Sequence, residues 1–240
     1  MDPNSFNSFT SFENLLQTAS EEELFDRIKS IAASLGFEYC AYGIKMPVPV
    51  SRPRLALFSN YPRQWQECYA QRNYISVDPT VHHGLKSNLP IVWSPETFQS
   101  AEELWSEARA YGLRFGWAQA SRDPSGAVGM LTLARGTEQI ADAELMHKQS
   151  MMSWLTQIAH ASMTRVLMPK LAPETQVSIT PREREVLRWT AEGKTASEIA
   201  QIISVSERTV NFHVNNVVLK LGASNKTQAA VKAAALGMLA

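Results

Sequence analysis

The chain has 240 residues, of which 45% are hydrophobic, 9% aromatic and 19% charged, a composition that fills packed cores and excludes a disordered, collagenous or coiled-coil chain. Lys plus Arg number 23 and Asp plus Glu number 23, a formal charge of zero, which taken over the whole chain argues against a nucleic-acid binder. Two cysteines, Cys40 and Cys68, make no disulfide framework and match no metal-cluster spacing, so a reducing cytoplasm is the expected compartment.

Met1 to Phe12 lacks a basic segment followed by an apolar one, and no stretch reaches the roughly 18 uninterrupted apolar residues of a membrane span. Ser20-Glu21-Glu22-Glu23 is a capping-box signal, and Leu24, Ile28, Ile31 and Leu35 recur at helical spacing until Gly36. Phe37 to Ile44 and Leu55 to Phe58 read as strands, and Tyr61 to Tyr69 as a helix opened by Asn60 with Pro62 in its first turn. Asp78-Pro79 starts a short helix and Ala101 to Tyr111 another. Gly116 to Ser121 and Ala127 to Ala134 read as strands about the turn Asp123-Pro124-Ser125-Gly126, and Ala141 to Val166 as a long helix or pair. Strands mixed with helices on more than one side imply an α-β-α sandwich.

Met168-Pro169 through Pro173 to Gln176 breaks the helical pattern and is the expected linker. Divided there, the charge is −3 over residues 1–174 and +3 over residues 175–240, a sign asymmetry compatible with a nucleic-acid module joined to something else. Thr180-Pro181-Arg182-Glu183 and Thr195-Ala196-Ser197-Glu198 are successive capping boxes; a third helix runs to Lys220 and Ser224 caps a fourth. Short helices joined by a tight turn suit a helix-turn-helix, whose second helix enters the major groove. Along that helix Val210, Val214, Val217 and Leu221 form the buried stripe, leaving Asn211 and Asn215 one turn apart on another face. Asparagine pairs bidentately with adenine, although a plain exposed helix face also accounts for these positions.

The run Leu187, Trp189, Gly193, Lys194, Glu198, Ile199, Ser206, Thr209, Val210, His213, Lys220, Leu221 and Asn225-Lys226 resembles the carboxy-terminal helix-turn-helix of LuxR-type transcription factors. The resemblance implies base contacts by Asn211 and Asn215 and phosphate contacts by Arg208, Thr209, Lys220 and Lys226. It also implies roles in the domain's own fold for Glu183, Leu187 and Gly193, and His213 is read as packing. Upstream, Tyr61 through Tyr69, Asp78-Pro79-Thr80-Val81, Trp93, Gly112-Leu113 and Gly129 to Thr132 are similar to the autoinducer-binding domain of the quorum-sensing LuxR branch. The ligand so implied is an N-acyl homoserine lactone, with no cofactor and no metal. By the same resemblance Trp65 donates to the lactone carbonyl, Tyr61 and Thr132 to the amide carbonyl, and Asp78 accepts the amide N–H. Trp93 packs over the lactone ring, and Tyr69, Trp105 and Leu113 line the acyl chain's path.

The residues alone leave other readings open. Tyr61, Trp65 and Tyr69 at helical spacing also fit a hydrophobic core, Asp78 before Pro79 also fits an N-cap, and His82-His83 is a solvated pair. No HExxH, GxSxG or P-loop pattern occurs. The expectation is an α+β protein and not an enzyme: an N-terminal α-β-α sandwich over residues 1–168 that binds ligand and dimerises, a linker over 169–176, and an all-helical helix-turn-helix domain over 177–240. Its expected partners are the autoinducer, double-stranded promoter DNA carrying an inverted repeat, a second copy of the chain and RNA polymerase. Met151, Met152, Trp154, Leu155 and Ile158 offer a dimer surface, with packing on the sheet as the competing account. A lactone-modifying enzyme using the same pocket, and a regulator released from DNA by its ligand, are the alternatives.

Overall fold

The structure is a computed structural model and describes residues 14–240; the reading of Met1 to Phe12 lies outside them. The chain divides into two compact units. The first comprises residues up to Lys45, Leu55–Asp123 and Val128–Val166, and the second Met46–Arg54, Pro124–Ala127 and Leu167–Ala240.

In the first unit, helix α1 (Glu21–Ser34) is capped by Ser20, whose hydroxyl accepts the Glu23 amide, and buries Leu24, Phe25, Ile28 and Ala32. It ends where Gly36 takes a positive φ of 90°, a conformation that glycine adopts without a Cβ clash. Strands β1 (Tyr39–Lys45), β2 (Leu55–Ser59), β3 (Ile91–Val92), β4 (Phe115–Arg122) and β5 (Val128–Arg135) form one antiparallel sheet in the order β2-β1-β5-β4-β3. Helices α2 (Arg63–Gln71), α3 (Pro79–Lys86), α4 (Glu102–Ala110) and, as far as Val166, α5 (Asp142–Leu171) complete the unit, with a short 3₁₀ turn at Tyr74–Ser76.

Residues directly opposite in an antiparallel pair share a face, so the register sorts the side chains. Tyr42, Leu131 and Gln119 lie on one face with Leu133 and Trp117. That face meets α1 and α5: Phe25 packs on Phe58 at 5.9 Å, the Tyr42 hydroxyl meets His160 Nδ1 at 2.9 Å, and Ser121 donates to Gln157 at 2.7 Å. The other face carries Ala41, Gly43, Gly116, Ala118 and Ala120 with Met130 and Thr132. Small residues there leave space above the sheet, and helices α2 to α4 cover it, which makes the expected α-β-α sandwich.

Gly129 shows how tightly the first face is packed. A Cβ at that position would stand 2.2 Å from His160 Nδ1 and 2.6 Å from the Tyr42 hydroxyl. Gly129→Ala is therefore expected to break that buried pair and to destabilise the unit by about 1–3 kcal/mol through overpacking, read as a lower midpoint in urea. An unchanged midpoint would mean that α5 yields freely there.

The long helix departs from the expected boundary. It continues through Pro169 to Leu171, with the Ala172 amide returning to Met168 O at 2.8 Å. The proline removes a single donor in the last turn, where the ladder is ending anyway, so the linker expected from Met168 onward begins as helix. The proposed apolar surface also divides. Met152 and Leu155 are core, whereas Trp154 is exposed and Met151 and Ile158 are half-buried on its side of the helix.

In the second unit α6 (Pro181–Ala191) and α7 (Ala196–Ile202) begin with full capping boxes, Thr180 with Glu183 and Thr195 with Glu198. Helix α8 (Glu207–Lys220) is capped by Ser206, and α9 (Lys226–Ala235) by Asn225, not by Ser224 as expected. Asn225 is extended and its side-chain Oδ1 accepts the Gln228 amide at 2.9 Å, while the Gln228 side-chain oxygen accepts the Ser224 amide. Val210, Val214, Val217 and Leu221 are all buried, as their spacing requires.

Candidate functional site

Helix α2 brings Trp65 to 3% exposure at the centre of an aromatic cluster. Tyr69 meets its edge at 5.7 Å, Tyr74 stacks on it at 6.0 Å and Tyr111 lies 5.7 Å away. Tyr61 packs in the same cluster, edge-on to Tyr39 at 6.2 Å, with Trp93, Trp105 and Leu113. Phe98 stacks on Trp105 at 4.5 Å and meets Trp93 at 5.8 Å. Thus six of the eight sequence-derived ligand residues share one cluster. Thr132 is buried on the same face of the sheet, between Ala41 and Ala118 in register.

Asp78 joins that cluster through its carboxylate. Oδ1 accepts the Thr80 amide at 2.8 Å and the Thr80 hydroxyl at 2.7 Å, and Oδ2 accepts the Tyr69 hydroxyl at 2.9 Å. The N-cap reading holds for this residue, and capping α3 with one oxygen fixes the direction of the other. A carboxylate offers about four lone-pair positions, so Oδ2 retains capacity for a donor on a ligand. Burial, with the nearby charge of Asp78, pushes the Tyr69 phenol well above its usual range. Burial also raises Tyr61, reinforced by Cys40 and Asp78. Both phenols stay protonated at neutral pH and so can donate, as Tyr69 does to Asp78.

The indole of Trp93 rests on the backbone of β4. Its amide donates to Gly116 O at 2.8 Å, and a Cβ on Gly116 would stand 2.4 to 2.6 Å from the ring. Trp93 Nε1 is buried without a hydrogen-bond partner among the described residues. An unmet buried donor costs about 1–3 kcal/mol, so this N–H is open to a guest. Gly116→Ala is expected to tilt the indole out of the cluster and weaken ligand binding about tenfold, measured by displacement of a fluorescent ligand; unaltered affinity would place Trp93 outside the contact surface. The sequence reading missed Tyr39, Tyr74, Phe98 and Tyr111, ordinary aromatics whose spacing carries no motif.

In the second unit Arg208, Asn211 and Asn215 are exposed on one face of α8, as expected. Phe212, 60% exposed, and Leu219, 78% exposed, share that face and were not foreseen. Thr209 is half-buried, its hydroxyl 2.8 Å from that of Ser206, and Lys226 is exposed at the start of α9. Lys220 differs from the phosphate partner expected of it. Its ammonium binds Glu183 at 2.7 Å, and Glu183 is 3% exposed and also accepts the Thr180 amide at 2.8 Å. Burial alone would raise the Glu183 carboxyl, but Lys220 and Thr180 outweigh it and hold it below the usual carboxylate range. Lys220 thereby ties α8 to α6.

Donor aromatics around one carboxylate on a sandwich, in a chain that also carries a helix-turn-helix, define the class of ligand-responsive regulators of transcription. Residues 20–163 match the model of the autoinducer binding domain, and residues 177–233 that of the bacterial regulatory proteins of the luxR family. The chain is 49% identical over 232 residues to the transcriptional activator protein SolR of Ralstonia nicotianae, covering 96% of this chain and 98% of SolR. It is 40% identical over 205 residues to the HTH-type quorum-sensing regulator RhlR of Pseudomonas aeruginosa, covering 85% of each. The crystal structure of Escherichia coli SdiA matches it with a TM-score of 0.87 at 34% identity over the whole of both chains. The chain belongs to the LuxR family of quorum-sensing, autoinducer-binding transcriptional regulators. Among the described residues no helix is long and apolar enough to cross a membrane.

Proposed function

We propose that the protein binds an N-acyl homoserine lactone in its sandwich and, so loaded, binds an inverted repeat in promoter DNA as a homodimer in the cytoplasm. The observation that carries the ligand reading is the Asp78 carboxylate, fixed by Thr80 and Tyr69 beside buried donors. Such a ligand has one amide N–H, which Asp78 accepts, and two carbonyls, to which Trp65 and Tyr61 with Thr132 donate. Its apolar chain runs along Tyr69, Trp105 and Leu113, each buried methylene contributing about 0.8 kcal/mol. Residues 1–168 form the sensor, 169–176 the linker and 177–240 the reader.

A ligand that binds only the folded sensor stabilises it by mass action and so favours the state competent for DNA. One helix-turn-helix reads few base pairs, and a two-fold dimer matches an inverted repeat. Met151, Trp154 and Ile158 on α5 supply the dimer surface, and the DNA-bound protein engages RNA polymerase. Mass spectrometry of protein purified from cells fed a mixture of acyl-homoserine lactones tests the reading. One intact lactone retained per protomer is expected; protein free of lactone, or carrying only ring-opened product, would overturn it.

A further inference from the structure

Outside the head-group residues, one ionised side chain gathers three donors from two other elements. Glu107 on α4 accepts the Cys68 thiol of α2 at 3.0 Å and the Tyr74 hydroxyl of the 3₁₀ turn at 2.9 Å, both on Oε2. Its Oε1 lies 3.0 Å from Arg72 at the end of α2, and Arg72 also pairs with Glu103. The link then passes inward: Tyr74 stacks on Trp65 at 6.0 Å, with planes 29° apart, and meets Tyr69 at 6.0 Å. Tyr69 in turn donates to Asp78. Tyr111, another ring against Trp65, follows directly on the helix that carries Glu107. Two of the three rings packed against the Trp65 indole are thus held by one carboxylate and its helix, and the third, Tyr69, meets Tyr74.

We infer that Glu107 is a positioning residue of the head-group site, aiming the Trp65 N–H through Tyr74 without touching ligand itself. This rests on the lactone reading proposed above. Packing alone leaves a stacked ring free to slide in its plane; a hydrogen bond at the far end of Tyr74 removes that freedom, and preorganised donors bind without the cost of ordering them. The three donors draw the Glu107 carboxyl below its usual range, Cys68 foremost and burial opposing, so it is ionised at neutral pH. The same bond raises the Cys68 thiol, with burial adding to it, which makes Cys68 a native reporter of the network.

Glu107→Gln keeps the size of the side chain but turns an N–H₂ toward groups that are themselves donors. In full-length protein the substitution is expected to weaken binding of an N-acyl homoserine lactone about tenfold, the worth of one charge-assisted hydrogen bond. Binding of an N-alkyl fatty amide that lacks the lactone ring is expected to change little, and Glu107→Asp to recover part of the loss. Equal losses for both ligands would reduce Glu107 to general support and overturn the inference, as would unchanged lactone affinity. In the ligand-free protein, the pH midpoint for iodoacetamide alkylation of Cys68, followed by peptide mass, is expected to fall in Glu107→Gln; an unmoved midpoint would mean that Glu107 does not govern the network. Wild-type protein that binds no lactone while that midpoint still falls would remove the lactone reading, and with it the role in aiming Trp65, and leave only the network.

Discussion

Asp78→Asn is expected to lower affinity for the acyl-homoserine lactone by about 100-fold or more while leaving the ligand-free fold intact. The substituted side chain keeps one carbonyl oxygen, which is enough to accept the Thr80 amide that Oδ1 now accepts at 2.8 Å, and asparagine caps helices about as well as aspartate. Helix α3 should therefore survive. The second oxygen becomes an N–H₂ group facing the Tyr69 hydroxyl and, in the complex, the ligand's amide N–H. A hydrogen bond to a charged group contributes about 1.5–3 kcal/mol, and opposing donors add a penalty. A loss of about 3 kcal/mol corresponds to roughly 100-fold in dissociation constant.

The comparison with Tyr69→Phe separates the two parts. That change removes one partner of Oδ2 but leaves the charge, so its effect should be the smaller, and the double variant should show coupling because the sites touch. Isothermal titration gives the affinities, and thermal denaturation without ligand shows whether the fold is kept. Unchanged affinity in Asp78→Asn would remove the carboxylate from the site and with it the main support for the lactone reading.

Asp78 also shows what a sequence discloses and what it hides. Its place before Pro79 marks a helix start by local rules, and its proposed role in the site came only through the resemblance. The geometry joins them, since the cap orients the site oxygen. The capping boxes of α6 and α7 and the stripe from Val210 to Leu221 were legible because each is decided within one or two turns. Strand β3 escaped because two residues, Ile91 and Val92, pair with β4 residues 25 or more positions later; no period is visible in so short a run. The bond between Cys68 and Glu107 spans 39 positions and that between Tyr74 and Glu107 spans 33. Nothing local distinguishes Glu107 from Glu102 and Glu103 of the same helix. Pro169 misled for the opposite reason: a strong local breaker was overridden at a helix end where little hydrogen bonding remained to lose.

Replacing Asn211 and Asn215 by alanine should relax base preference by about 1–3 kcal/mol for each bidentate pair removed, with the salt dependence of binding unchanged. Both side chains are neutral, so neither releases a counterion. Arg208→Ala should do the reverse, weakening all sequences alike and flattening the slope of log affinity against log salt by about 0.9 for each phosphate no longer neutralised. The slope also counts protomers, because one substitution takes a cation from each half of a dimer. A change near ~1.8 is expected from full-length protein on an inverted repeat, and a change near ~0.9 would indicate one reader engaged. The neutral total charge makes this count matter. Within the reader's excess of +3, Lys220 is held by Glu183 and Arg182 by Glu185, which leaves a single reader few cations for phosphate. Non-specific affinity grows with the phosphates neutralised, so one reader binds weakly and two on one duplex bind far more tightly. If ligand controls dimerisation as proposed, it thereby controls DNA occupancy, and gel-shift titration on half-sites and full sites at matched salt would measure that dependence directly.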